Sequence, residues 1–323
     1  MKNFKFILSN QTNPQFNIAS EEYLLKRTTD FYIYLWRNEK SVIVGNNQNT
    51  ILEVDLKKAS IDGVKVVRRL TGGGAVYHDT QNICYTIIAP YKNGEDYYKK
   101  FTTPVINYLN DLGVPAKFSG RNDITVCDKK ISGNAQVVYK DRILHHGTIL
   151  FNTDLDALQK VLIQNDVKVK SKGIKSIRAR VVNVKEFIPN FTCDEFLNGL
   201  SSYLKKDLTP YTFTKEDILS INKLVEEKYS TYEWNIGKSP KGNLRIDFKL
   251  PFGTMTFTFD LIDGIINNFE IFGDYFSIKP LDDIIYNLNG QKYTKETFEK
   301  AFEDISSYIK GANGQEIVDK IFS

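Results

Sequence analysis

The chain has 323 residues, 41% of them hydrophobic and 25% charged, with a formal net charge of +4. Such a chain can bury a large core in one large domain, or in a large and a small one, without a disulfide or a metal. The charge is too small to point to a nucleic-acid partner, no segment is long and apolar enough to span a membrane, and the first residues lack the apolar run of a secretory signal.

The spacing predicts a first helix from about Asn17 to Lys26, with Asn17 as cap and Ile18, Leu24 and Leu25 on its apolar face. Two β-rich runs follow, Tyr32–Trp36 and Val42–Val44, with a turn at Gly45-Asn46-Asn47. Asp55–Ser60 is a short helix. Val64–Arg69 and Ala75–Tyr77 flank three glycines, and Ile83–Ile88 reads as a buried strand. A helix is expected to open at Pro104 with Thr103 as cap and to stop at Gly113. Short strands then crowd together at Ile124–Val126, Lys130–Ser132, Gln136–Tyr139 and Ile143–Phe151. Helices at about Asp154–Leu162, Asp194–Lys205 and Lys215–Lys228 complete the first region. The turn-rich cluster Ser239–Asn243 marks a boundary, giving domains of residues 1–242 and 243–323. Beyond it, Met255, Phe257, Phe259 and Leu261 alternate with polar residues, the period of a half-buried antiparallel strand. Asp263-Gly264 reads as a hairpin turn, and two or three helices close a small α+β domain.

The run from Val66 to His78 carries most of the chemistry. A β-rich stretch brings Arg68 and Arg69 to Gly72-Gly73-Gly74 and returns through Ala75, Val76 and Tyr77 to His78. Consecutive glycines leave backbone N–H groups bare for close approach to an anion, and arginines supply planar, permanently charged donors. A flexible hairpin with a solvated arginine pair fits the run equally well. No Gly-Lys-Ser/Thr follows, which excludes a P-loop, and a strand follows where a dinucleotide fingerprint needs a helix.

Other segments are weaker alone. Gly120-Arg121-Asn122-Asp123 reads first as turn chemistry and second as a carboxylate and amide placed for a metal–phosphate pair. In Lys129-Lys130-Ile131-Ser132-Gly133-Asn134-Ala135 the small residues leave space for a ligand. Lys130 is either surface decoration or a pocket cation opposing charge at an acyl carboxylate and an α-phosphate. His145 and His146 are adjacent on a strand, so they face opposite sides and make a poor metal pair. Gly147 after them permits close approach of a ligand or a neighbouring strand. The basic run Lys168–Arg180 is a solvated loop or a phosphate-covering lid. Cys84, Cys127 and Cys193 are odd in number and widely spaced, without Cys-x-x-Cys, so neither a zinc site nor a disulfide framework is indicated. Cys84 and Cys127 read as buried structural thiols, and a reducing cytoplasm is the expected location.

Together these segments, in this order and spacing, resemble the lipoate–protein ligase A family. Phe16–Glu22, Gln48-Asn49, Lys172–Val181 and Glu233-Trp234-Asn235 extend the resemblance over nearly the whole chain. It implies an α/β fold, with a mixed-sheet catalytic domain of the biotin/lipoate ligase type and a small α+β accessory domain. The implied reaction is ATP-dependent. Lipoate and Mg²⁺-ATP give lipoyl-adenylate, which then acylates a lysine of a lipoyl-domain (2-oxoacid dehydrogenase E2) or glycine-cleavage H-type acceptor. By resemblance, Lys130 is the catalytic residue. The nucleotide falls to Arg69, Gly74, Ala75, Val76, Tyr77, Asn122, Asp123 and Lys130. Lipoate falls to Arg69, Gly72, Gly73, Gly74, His78, Lys130, His146 and Gly147. No dedicated metal site is implied, Asp123 meeting magnesium only through the nucleotide. Asn46 departs from the family, many members of which carry a basic residue there. The cysteines do not stand where thiol-dependent transferases of the superfamily keep their nucleophile. The alternatives are an ATP-independent octanoyl or lipoyl transferase and a non-catalytic lipoate-binding relative. No base for the acceptor lysine is apparent. The motifs that resemble ligand-binding segments all lie before about Arg180, so residues 243–323 are expected to contribute nothing to the pocket.

Overall fold

The structure, a computed structural model, describes residues 4–27, 30–161, 180–237, 244–262 and 265–322. In chain order the strands are β1 (Phe4–Leu8), β2 (Phe31–Arg37), β3 (Ser41–Val44), β4 (Lys65–Arg68), β5 (Val76–His78), β6 (Asn82–Pro90) and β7 (Ala116–Ser119). They continue as β8 (Asp123–Val126), β9 (Lys129–Tyr139), β10 (Arg142–Leu150), β11 (Thr209–Pro210), β12 (Leu244–Leu250), β13 (Gly253–Ile262) and β14 (Ile265–Gly273). Among the described residues they form an eight-stranded sheet, β11-β1-β2-β6-β10-β9-β8-β7, and two three-stranded sheets, β4-β3-β5 and β12-β13-β14. β1 is parallel to both its neighbours, and every pairing from β2 to β7 is antiparallel. The small sheet is mixed too, with β3 parallel to β4 and antiparallel to β5.

Alternation along the strands gives the large sheet two buried faces. One carries Tyr34, Trp36, Cys84 and Leu144 under Ile18, Leu24 and Leu25 of helix α1 (Pro14–Arg27) and Ile221 of the helix Lys215–Leu224. The opposite face carries Leu35, Ile83 and Tyr85 under the helices Tyr97–Asp111 and Cys193–Lys205. A third apolar core, entirely from Ile246 onward, joins Phe257, Phe259 and Phe269 to Phe298, Phe302 and Ile317. Thr256 and Thr258, on the polar side of β13, are buried as well, and Thr256 Oγ1 donates to Asp247 Oδ1 at 2.6 Å. Three helices close the chain, Asp282–Leu288, Lys295–Ala301 and Gly314–Ile321. Among the described residues no helix is long and apolar enough to cross a membrane.

Four sequence expectations need correction. Asn17 does not cap α1: the helix starts at Pro14, and Asn13 Oδ1 accepts from the N–H groups of Gln15 and Phe16 at 2.9 and 3.2 Å. The next long helix begins at Tyr97, capped by Asp96, and runs through Pro104. Hydroxyl bonds from Thr102 to Tyr98 O and from Thr103 to Lys99 O occupy the carbonyls of that turn, beside the one that the proline cannot serve. Lys130–Ser132 and Gln136–Tyr139 are one strand, because Gly133 and Asn134 remain extended and paired. Cys127 is exposed. It stands with Asp128 at the tip of a two-residue hairpin, both at positive φ (48° and 60°), where no core can cover it. The Asp263-Gly264 turn and the Ser239–Asn243 boundary lie outside the described residues.

Burial raises the pKa of the Cys84 and Cys193 thiols, whereas Cys127 faces solvent. An aromatic disulfide reagent should therefore modify one thiol per chain quickly and the other two only after denaturation. Cys127→Ser should abolish the fast phase. Three fast thiols would contradict this arrangement.

Candidate functional site

The two arginines before the triple glycine, Arg68 at the end of β4 and Arg69 just after it, do different work. Arg68 is fully buried and turned away from the loop. Its guanidinium donates to the carbonyls of Gly45, Asn46 and Gln48, to Thr50 Oγ1, and to the carbonyls of Trp234 and Asn235. Arg69 turns into the loop. It donates to Thr71 Oγ1 at 2.9 Å, to Ile43 O at 2.9 Å, to Gly72 O at 2.7 Å and to Gly74 O at 2.9 Å. Burial pushes both guanidiniums down to about 10, so both stay charged at neutral pH. Four of the five N–H groups of Arg69 are thus committed to protein oxygens. The expected pair of free anion donors is instead a pair of internal braces. Arg69 pulls the carbonyls of Gly72 and Gly74 inward, which leaves the loop's other edge open. Gly73 takes φ +92°, and nothing lies within 4 Å of where a Gly74 Cβ would be.

Thr71 links the loop to the sheet. Its Oγ1 is 2.8 Å from His146 Nε2, and His146 Nδ1 is 2.9 Å from the buried Glu21 carboxylate. Glu21 also accepts from Thr86 Oγ1 at 2.6 Å, which in turn accepts from Trp36 Nε1 at 2.9 Å. Sequence reasoning missed Glu21 and Thr71, because each is recognisable only by the chain it completes. His145 points to the opposite face, as adjacent strand residues must. It is 2.9 Å from Gln136 and packs against Tyr98 and Phe101.

Lys130 sits where β9 bulges. Thr125 pairs with Lys130 and Ile124 with Ser132, so Ile131 is the extra residue. The bulge aims Lys130 Nζ to within 2.8 Å of Asp123 Oδ1. A Cβ at Gly133 would lie 2.7 Å from that ammonium, so glycine is what lets the lysine fold over its own strand. The segment after the basic run returns here, and Val182 N donates to Lys130 O at 3.0 Å. Of that run only Arg180 lies among the described residues.

Arg69, Gly73, Gly74, His146, Lys130 and Asp123 border one cavity of about 690 Å³. Its walls differ in character. Ile18, Trp36, Ile43 and Cys84 form an apolar side, contributed by α1, β2, β3 and β6. Arg121, Asn122, Asp123, Lys130 and Arg180 form a polar side at β8 and β9. Four strand intervals separate β2 from β8, a span of about 19 Å at ordinary strand spacing. Arg69, Gly73, Gly74, Ala75, Val76, Tyr77, His78, His146 and Gly147 line the space between.

Two expectations need correction here. Gly72 does not line the cavity; a Cβ on it would collide with Tyr275 O. Gly147 borders the cavity as expected, and the two neighbouring strands approach it closely through the Tyr85 phenol and the Asn134 amide, both of which a Cβ there would strike. The C-terminal region also contributes, since Asp274 and Phe276 line the cavity. Gly73 N donates to Tyr275 O at 3.4 Å, Arg121 donates to Phe252 O at 2.7 Å, and its guanidinium lies 4.5 Å from the Phe276 ring centroid. No sequence motif marks this contact, because it is made by backbone oxygens and one ring. The Asn46 side chain does not reach the cavity lining.

Among the described residues no group of three His, Cys, Asp or Glu is arranged to hold a metal ion. A single carboxylate, Asp123, suits a cation that arrives on phosphate oxygens, the usual habit of magnesium.

Two measurements test this geometry. A Gly73→Val side chain would meet Arg69 Nη2 and the Phe276 ring at 3.1 and 3.2 Å, at a φ that β-branched residues avoid. Ligand binding by calorimetry should be lost while circular dichroism is unchanged; unchanged affinity would make the loop a mere hairpin. His78 and His145 are held neutral by burial, each pushed down to about 3 from an unfolded value of 6.5. The unfolded chain therefore binds up to two more protons as pH falls from 6.5 towards 3, and stability drops over that window. The thermal midpoint should fall between pH 6.5 and 4.5, less steeply in His145→Gln; a flat profile would show that these rings are not buried neutral.

The comparisons agree along the whole chain. Residues 13–205 match the model of the lipoyl protein ligase A/B catalytic domain, and residues 239–321 match that of the bacterial lipoate protein ligase C-terminus. Lipoate–protein ligase 1 of Staphylococcus aureus is 40% identical over 312 residues, 94% of this chain and 95% of that protein. The solved structure of P. falciparum LipL1 in complex with lipoate has a TM-score of 0.80 at 31% identity, covering 98% of this chain and 97% of that one. One chain of a bipartite lipoate protein ligase from Thermoplasma acidophilum, solved in a study of that ligase and its E2 lipoyl domain, covers 76% of this chain and 100% of its own, with TM-score 0.66 and 32% identity. A lipoate–protein ligase A bound with ATP covers 73% of this chain and 99% of its own, with TM-score 0.64 and 28% identity.

Proposed function

The chain belongs to the lipoate–protein ligase family, and from that premise we propose that its cavity joins lipoate to ATP and hands the acyl group to a protein lysine. The observation that carries this reading is one cavity with an apolar wall, a cationic wall and a bare-backbone loop between them. The acyl chain lies along Ile18, Trp36 and Ile43. Its carboxylate reaches Lys130, and the nucleotide phosphates lie under Gly73–Tyr77 beside Asn122 and Asp123. The ATP-bound and lipoate-bound relatives support both substrates.

In the first step a carboxylate oxygen attacks the α-phosphorus of ATP. The new P–O bond forms as the bond to pyrophosphate breaks. Two anions must meet, and Lys130 Nζ supplies the charge that offsets them, with the bare amides of the loop as further donors. Asp123 holds the ammonium in place until the anions arrive. Magnesium arriving on ATP would neutralise further phosphate charge, and Asp123 is the carboxylate beside Lys130 that would meet it. In the second step an acceptor amine attacks the acyl carbon, the C–O bond breaks, AMP leaves, and the nitrogen loses its proton. The acceptor is a lipoyl-domain or H-type protein, supported by the archaeal study that treats a ligase with its E2 lipoyl domain. We take residues 1–242 and 243–323 as the two domains, supported by the separate core from Ile246 onward. A cytoplasmic location agrees with three unpaired thiols and a need for ATP.

A thiol-dependent transferase would need an activated cysteine. Cys84 is the cysteine that lines the cavity, and burial raises its pKa well above normal, which keeps it protonated.

Lipoate-dependent exchange of labelled pyrophosphate into ATP tests the proposal. Wild-type protein should catalyse it. Lys130→Ala should lose about 10²–10³ in rate, the cost of removing one transition-state donor, with the fold retained. Lys130→Arg should not restore it, since a planar fork does not replace a point charge. Exchange at the wild-type rate by Lys130→Ala would remove Lys130 from the chemistry.

A further inference from the structure

The loop before β8 turns an oxygen, and not a nitrogen, towards the polar side of the cavity. Asn122 Nδ2 lies 2.6 Å from Asn134 O. A carbonyl only accepts, so that atom is the NH₂ donor and Asn122 Oδ1 points the other way. The loop is pinned in return, because Asn134 N and Asn134 Nδ2 both donate to Asn122 O at 3.0 Å. Asn134 is anchored in its turn: its Oδ1 accepts from the Tyr85 hydroxyl and lies 3.2 Å from His145 Nε2. Asn122 is half-buried and lines the cavity, and its Oδ1 has no hydrogen-bond partner among the described residues. Its neighbour Asp123 is split in the same way. Asp123 Oδ1 is buried 2.8 Å from the Lys130 ammonium, yet the side chain is 34% exposed, which leaves Oδ2 as the oxygen open to the cavity.

Asn122 and Asp123 thus offer two acceptors and no donor. They give a bare phosphate no hydrogen bond. Once pyrophosphate has left, the adenylate phosphate finds its donors at Lys130 and the glycine loop, and these two oxygens are unclaimed. The reactant still to enter carries N–H groups: the ε-amine of the acceptor lysine. When neutral it has two N–H groups and one lone pair, and the lone pair must point at the acyl carbon. Two oxygens on one side of the nitrogen fix that direction.

We infer that Asn122 Oδ1 accepts a hydrogen bond from the ε-nitrogen of the acceptor lysine and aims its lone pair at the acyl carbon in the transfer step, with Asp123 Oδ2 as the second acceptor. The inference rests on the ligase reading. The acceptor ammonium first gives one proton to water. The neutral nitrogen then forms the C–N bond, and the C–O bond breaks with its electron pair on the AMP phosphate. The nitrogen, positively charged as the new bond forms, returns to neutral by losing a second proton to water. An oxygen facing the nitrogen is worth most at that charged stage. Asn134 acts through Asn122 as a positioning residue.

The two half-reactions, measured separately on the full chain, test it. Asn122→Ala removes the oxygen but keeps the bonds from Asn134 to the backbone carbonyl of residue 122, so the loop stays pinned. Single-turnover transfer from preformed lipoyl-adenylate to a lipoyl domain should fall about tenfold to hundredfold, the worth of one hydrogen bond to a charged group. Lipoate-dependent pyrophosphate exchange and calorimetric affinity for a sulfamoyl analogue of lipoyl-adenylate should stay within about twofold, since neither involves the acceptor. Asn122→Ser, a smaller disturbance of the loop, repeats the measurement if the alanine variant does not fold. Transfer at the wild-type rate would overturn the inference. So would a parallel loss of exchange in a folded variant, which would assign Asn122 to the nucleotide or its magnesium. Both results leave the ligase reading intact. Wild-type protein that shows no exchange would overturn that reading, and this inference with it.

Discussion

Two adjacent buried arginines hold the site together. Adjacent at the end of β4, they send their side chains to opposite sides, and each gathers backbone carbonyl oxygens. Arg68 ties the Gly45–Thr50 turn to Trp234 and Asn235, residues more than 160 positions later in the chain. Arg69 gathers the carbonyls of Gly72 and Gly74. Burying a guanidinium is tolerable only when its N–H groups are matched, and here the matching is nearly complete. Because the carbonyls of the glycine loop are drawn inward, its cavity edge can present amides. A substituent at Gly73 would meet the Arg69 brace itself.

The large sheet does the rest by geometry. Its two halves differ because β2 and β6 pack under α1 with apolar residues, whereas β8 and β9 end in polar loops. A cavity that crosses five strands therefore passes from an oily wall to a cationic one without any special construction. The bulge at Ile131 is the irregularity on which the proposed chemistry rests, since it turns Lys130 towards Asp123. The C-terminal region closes the cavity through Tyr275 and Phe276, using backbone oxygen and ring edge rather than charged pairs. Contacts of that kind form and break without stranding a buried ion.

Much of this was legible in the residues. The triple glycine, the lysine in a strand of small residues and the split facing of His145 and His146 follow from backbone freedom and from the two-residue strand period. The roles of Arg68 and Arg69 were not legible, because a charged pair beside a glycine loop looks the same whether it serves a ligand or the loop's own carbonyls. Glu21 lies within the first predicted helix with no signal of its own, and only the folded sheet brings it to His146. Gly72 and Gly147 were recognisable as sites of close approach, but what approaches them is Tyr275 and the Tyr85–Asn134 pair. Cys127 was misplaced because two residues at positive φ leave no periodic trace in the sequence.

The central claim is that one cavity seats the acyl tail beside Trp36 and His78 and the phosphate beside Lys130. A crystal structure with a non-hydrolysable sulfamoyl analogue of lipoyl-adenylate tests it most directly. The account predicts the dithiolane ring against Trp36 at the apolar wall, and the sulfamoyl group within reach of Lys130 Nζ. An analogue seated with its acyl tail away from Trp36, or with no contact to Lys130, would contradict it.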